Sequence, residues 1–215
     1  TFGSGAVRGQ LGAAVVAPSV NAGGIINAVQ DAAIAAASPG SIVSIYGTNL
    51  AGTTSDAGGM EVPMLPTGLN GTDVRIGGRQ AALFFVSPNQ INAQVPYETA
   101  AGDAQVFVVR GGDSFSAPYT LRVGPQSPGI FVTSLGAAVL KNADFSLVSA
   151  GNPAAANEVL SIFGTGLGAV TPAVASGALA PAGPPALAAT KPAVTVGGRE
   201  AEVLAAALAP GFVGL

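Results

Sequence analysis

Two stretches of this 215-residue chain are written to one pattern. SIVSIYGTNLAG at 41–52 recurs as EVLSIFGTGLGA at 158–169, so Ser44, Ile45, Gly47, Thr48 and Leu50 return as Ser161, Ile162, Gly164, Thr165 and Leu167, with Phe163 answering Tyr46. DVRIGGRQAALFFVSP at 73–88 recurs as AVTVGGREAEVLAAALAP at 193–210, matching Val74, Gly77, Gly78 and Arg79 to Val194, Gly197, Gly198 and Arg199. The offset drifts from 117 to 120, then to 122 at Pro88/Pro210. Self-similarity of this length means one architecture used twice, with small insertions between matching elements.

The local pattern is β. Val74 and Ile76 alternate with Asp73 and Arg75 before a Gly-Gly turn, and Leu83 and Phe85 are expected on one face of the next strand. In QINAQVP, Ile91, Ala93 and Val95 face one way and Gln90, Asn92 and Gln94 the other, the mark of a half-buried strand. AQVFVVR (104–110) and APYTLRV (117–123) flank a further turn. Short strands with turns every 8–12 residues predict an all-β chain of two tandem Ig-like β-sandwiches. The expected division is 1–20 as an N-terminal extension, 21–124 as the first sandwich, 125–157 as a linker and β-hairpin, and 158–215 as the second sandwich. The Pro-punctuated tract 168–190 reads as an extended surface loop. Helix is scarce; AVQDAAIAAAS (28–38) has the propensity for a helical turn before Pro39.

Composition narrows the chemistry. The chain has no Cys and no His, which excludes disulfides, thiolate sites and a Ser-His-Asp triad built within it. Its eight Lys and Arg are scattered, so neither nucleic acid nor an anionic membrane surface is an expected partner. No stretch makes a credible membrane-spanning helix. Only 9% of residues are charged, a surface poor at keeping molecules apart and suited to packing against copies of itself. No metal, cofactor or catalytic residue is expected.

Individual motifs lead to the same place. GTGLGA (164–169) resembles a dinucleotide-binding turn, but its glycines have the wrong spacing and AVTPAV, not a helix, follows. Glu200 and Glu202 read as a solvated strand face and Arg79 and Arg199 as hairpin solubilisers. Tyr46, Phe84, Phe85, Tyr97, Phe107, Phe115, Tyr119 and Phe131 include candidates for a sugar-stacking platform, although most alternate into a core and Trp is absent.

The residues SPGSIVSIYGTNLAG, LPTGLNGTDVRIGGRQAALFFVSPNQINAQVPYE, SPGIF, AAVLKNADFSLVSAGNPA and LAPGFVGL, in this order, resemble the Solibacter-type C-terminal domain family of secreted acidobacterial proteins. The resemblance covers roughly residues 20–215. It implies an extracellular setting and Ig-like halves akin to the IPT/TIG type, and carries no enzymatic activity, cofactor or ligand to any residue.

In that family the segment like APGFVGL continues into further strands. Here the second repeat reaches Leu215, whereas the first runs on through Ile91–Val123. A sandwich needs about seven strands and the second repeat supplies about four. The deficit of several hundred Å² is worth on the order of 10 kcal/mol. Two readings stay open: a longer natural chain, or strands supplied by another molecule. On the second, Leu11, Ala13, Val15 and Val16 form a candidate donor strand, and Val203, Leu204, Phe212, Val213 and Leu215 a candidate open-edge acceptor. The expected function is a non-catalytic extracellular subunit of a fibre or surface assembly, with copies of itself as partners. The alternative is a secreted glycan-binding or adhesive module meeting extracellular polysaccharide.

Overall fold

Alternating apolar residues bury one face of each strand only if a second sheet covers it, and the first repeat does this with two sheets of its own. The computed structural model describes residues 16–29, 37–58, 62–134 and 136–215; the segment read as a helical turn falls largely on 30–36, outside them. The described residues are all-β, without helix. The first half holds β1 (Ser19–Asn27), β2 (Ile42–Thr48), β3 (Ser55–Asp56), β4 (Gly68–Leu69), β5 (Thr72–Ile76), β6 (Arg79–Gln80), β7 (Ala82–Val86), β8 (Gln90–Gln94), β9 (Gly102–Arg110), β10 (Ser114–Phe115) and β11 (Tyr119–Val123). One sheet runs β1-β2-β8-β7-β3; the other runs β10-β9-β5-β4, with β11 also on β9 and β6 on β5.

Val43, Ile45, Leu83, Val86, Ile91, Ala93 and Val95 meet Val74, Ile76, Val106, Val108, Leu121 and Val123 in a single core between these sheets. The expected pairing of Leu83 with Phe85 on one face is corrected by a bulge between them: Leu83 and Val86 are fully buried, while Phe84 and Phe85 lie half-buried. An extra residue in a strand shifts every side chain after it to the opposite face.

The second half comprises β12 (Gly129–Ile130), β13 (Val132–Thr133), β14 (Gly136–Ala137), β15 (Val139–Lys141), β16 (Leu160–Ile162), β17 (Gly164–Thr165), β18 (Val170–Thr171), β19 (Leu187–Ala188), β20 (Val194–Val196) and β21 (Arg199–Ala201). These form only two-stranded ladders: β12–β17, β13–β14, β15–β16, β18–β19 and β20–β21.

The ladders reproduce the first repeat pair by pair. In the first half Ser19, Val20, Ile25, Ile26 and Asn27 lie opposite Thr48, Gly47, Ile45, Ser44 and Val43. In the second, Gly129, Ile130, Val139, Leu140 and Lys141 lie opposite Thr165, Gly164, Ile162, Ser161 and Leu160. So β12 and β15 stand where β1 stands, with the β13–β14 hairpin inserted at the place where β1 carries an irregularity. The reading of 125–157 as linker and hairpin did not anticipate this pairing. A hairpin is present within it: Lys141 N–H donates to Ser146 O and Val148 N–H to Val139 O, and the carboxylate of Asp144 caps the turn by accepting from Ser146 N–H. That hydrogen bond holds Asp144 below the usual carboxylate range. The turn between β20 and β21 copies that between β5 and β6, with φ of 59° and 78° at Gly197 and Gly198 against 59° and 79° at Gly77 and Gly78. Positive φ at both central residues is open to glycine without steric cost.

The tract 168–190 is not the expected surface loop. Val170, Ala180 and Ala186 are buried with Leu208, and Tyr97 of the first half packs against them. Gly177 N–H donates to Gln94 Oε1 at 2.6 Å, and Leu65 N–H donates to Gly177 O at 2.8 Å. Small, uncharged residues let this backbone lie directly on the first sandwich. They also explain why Gln94, read as a solvent-facing residue of β8, is buried.

Candidate assembly surface

The matching registers allow each strand of the second half to be compared with its counterpart. β2 is paired on both sides, by β1 and β8. Among the described residues β16 is paired by β15 alone. Asn142 N–H donates to Val159 O and Phe163 N–H to Ala138 O, so Val159, Ser161 and Phe163 use their backbone groups toward β15. By antiparallel alternation, Leu160 and Ile162 aim theirs at the other edge, where no strand among the described residues lies. Likewise β5 is flanked by β9, whereas among the described residues β20 pairs only with β21.

The side chains carry the same message. Ile45 and Ile76 are fully buried, while their counterparts Ile162 and Val196 are 41% and 65% exposed. Ile130, Val132, Phe145, Val159 and Leu187 add further exposed apolar surface to the second half. Burying one such side chain is worth about 1.5–3 kcal/mol. These exposed apolar side chains lie in the half whose strands β16 and β20 have an edge with no partner strand among the described residues.

The candidate residues of the sequence reading fall out as follows. Leu11, Ala13 and Val15 lie outside the described residues, and Val16 is 66% exposed just before β1. Leu204 is 65% exposed, Phe212 lies at the surface, and Val203 and Leu215 are half-buried. Val213 is fully buried against Leu65 and Ala82 of the first sandwich. Gly214 sits beside it: Thr165 Oγ1 donates to Gly214 O at 2.8 Å and accepts from Ile42 N–H at 3.0 Å. The last residues thus fasten the two halves together. Sequence reasoning did not single out Leu160 and Ile162 as edge residues, although their repeat partners Val43 and Ile45 were already visible.

Between the halves lies a cleft of about 410 Å³, floored by Ser44, Gln90 and Asn92 and walled in part by Phe84, Phe131 and Phe163. Asn92 Oδ1 accepts from Ser44 Oγ at 3.0 Å and from Gln90 Nε2 at 2.9 Å. No charged side chain lines it. Glu200, Glu202, Arg79 and Arg199 are all exposed. Among the described residues no group of three or more His, Cys, Asp or Glu is placed to hold a metal. Nor is any helix among them long and apolar enough to cross a membrane.

Two sheets packed face to face over one core make the first half an Ig-like β-sandwich. Residues 25–123 match the IPT/TIG domain family and form an IPT/TIG domain. The match closes on Val123, the last residue of β11, and so spans the first sandwich. Domains of this type are a common extracellular or adhesive Ig-like module. A comparison with curated proteins finds no match.

Proposed function

We propose that this chain is a non-catalytic extracellular structural protein whose copies join by β-strand complementation. The single observation that carries the reading is the pair of edges on β16 and β20 that no strand among the described residues covers, set beside apolar side chains whose repeat counterparts are buried. The IPT/TIG domain, the resemblance to secreted acidobacterial C-terminal domains and the low charge support the setting. The donor is the segment holding Leu11, Ala13, Val15 and Val16. The acceptor is the second half, including the neighbourhood of Val203, Leu204 and Phe212. Donor and acceptor lie on different parts of one chain, so the contact is head-to-tail and grows as an open filament unless its rotation closes a ring.

Negative-stain microscopy and light scattering over a concentration series test this. Filaments or a ladder of oligomers are expected, and they are lost on Ile162→Pro, which removes an N–H aimed at the open edge while leaving the bonds of Ser161 and Phe163 to β15. A monodisperse monomer at every concentration overturns the proposal.

A second reading rests on the cleft. Its amide and hydroxyl floor and phenylalanine walls suit a neutral saccharide, which would stack on a ring and share hydrogen bonds with Asn92 and Gln90. Retardation in polysaccharide affinity gels that Asn92→Ala abolishes would support it, and unretarded migration would remove it.

A further inference from the structure

We propose that residues 10–15 of a second copy occupy the free edge of β16 in the register that β8 takes on β2; this rests on strand complementation as proposed above and names its donor, edge and alignment. β8 is the strand to be matched. Its buried row is Ile91, Ala93 and Val95, each fully inaccessible, and Gln90 starts the strand. Gln-Leu-Gly-Ala-Ala-Val at 10–15 reproduces Gln-Ile-Asn-Ala-Gln-Val at 90–95. Leu11 stands for Ile91, Ala13 for Ala93 and Val15 for Val95, while Gly12 and Ala14 replace the outward Asn92 and Gln94. Residues 10–15 therefore carry the inward face of a strand that no described residue places beside β16.

The register follows without adjustment. On β2, Tyr46, Ile45, Ser44, Val43 and Ile42 lie opposite Gln90, Ile91, Asn92, Ala93 and Gln94. Carried across the repeat, Phe163, Ile162, Ser161, Leu160 and Val159 lie opposite Gln10, Leu11, Gly12, Ala13 and Ala14. Leu11 then covers Ile162, which is exposed without it, as Ile91 covers Ile45. Leu160 and Ile162 gain partners for the backbone groups that face away from β15. The chain enters β1 through Val16 and Ala17, both exposed to solvent, and the donor is assigned to a neighbouring copy, which the double-cysteine chain below tests.

The chain has no cysteine, so introduced thiols report the pairing cleanly. Gly47 N–H donates to Asn89 O and Val95 N–H to Ser41 O, which makes Ser44/Asn92 a pair not joined by backbone hydrogen bonds. In such pairs the Cα atoms approach to about 4.5 Å, within disulfide range. Full-length chain carrying Gly12→Cys is mixed with full-length chain carrying Ser161→Cys under mild oxidation. The expected result is a shift of the non-reduced band from one chain's mass to two, with the disulfide between these two positions identified by mass spectrometry. No such product forms when Ser161→Cys is replaced by Thr120→Cys on exposed β11, and adding Leu11→Asp to the donor abolishes the link. If unmodified protein polymerises but the two variants do not link, the donor and register are overturned and strand complementation survives. If neither happens, both fall. A Gly12→Cys/Ser161→Cys chain that closes on itself as a monomer overturns the second-copy occupant.

Discussion

At the scale of single residues, close backbone approach explains positions that sequence left as turn signals. Gly166 has φ of +89°, and a Cβ on it would lie 1.9 Å from Ser127 O. The Gly-x-Gly of GTGLG is thus the seat of the 125–128 backbone, with Gly168 meeting Pro125 O in the same way. Gly166→Ala is expected to cost about 2–4 kcal/mol in urea unfolding, through strain and clash together. Gly71→Ala is the control: φ is +72° but nothing lies within 4 Å, so only the left-handed backbone term of about 1 kcal/mol remains. Tyr97 makes a second case. Burial under the 168–190 tract pushes its phenol from 10.0 up to about 12. The fold favours the neutral form, so this contribution is complete below pH 10 and is lost as pH climbs through 12. Wild type should lose up to about 2–3 kcal/mol more than Tyr97→Phe over that window, read by denaturant midpoints at each pH.

At the scale of elements, a strand is worth what lies on its two sides. β2 and β16 share sequence, hand and the partner on one edge, yet β2 sits in a five-stranded sheet and β16 in a two-stranded ladder. An isolated two-stranded ladder is marginal in water. Amide hydrogen exchange should therefore divide the copies: amides of Val43 and Ile45 are expected to exchange only through global opening, and those of Leu160 and Ile162 much faster in dilute protein. Raising the concentration should slow the latter pair if the edge becomes filled. Unchanged exchange of Leu160 and Ile162 in a demonstrably assembled sample would show that another surface holds the copies together.

At the scale of the molecule, low charge sets how copies of the chain would meet under the proposed assembly. With 9% charged residues and a net charge of −3, neither strong steering nor strong repulsion acts between chains. Assembly by backbone pairing and apolar burial should be insensitive to sodium chloride and strengthened by sulfate, which favours burial of apolar surface. Sedimentation in rising salt checks this: dissociation would mean that ion pairs hold the contact. The two halves of one chain are joined by different means, through Thr165, Gly177 and Val213 set directly on the first sandwich.

The residues themselves determined the β class, the duplication and the Gly-Gly hairpins, because period-two alternation and positive φ are local properties written within a few positions. Only the tertiary structure decided the burial of Gln94, the bulge that turns Phe84 and Phe85 outward, and the place of 129–141 beside β16 and β17. It also left one edge of β16 and one of β20 without a partner strand among the described residues. Each of these depends on what comes to lie opposite a residue, and a chain's own periodicity holds no record of its neighbour across the ladder.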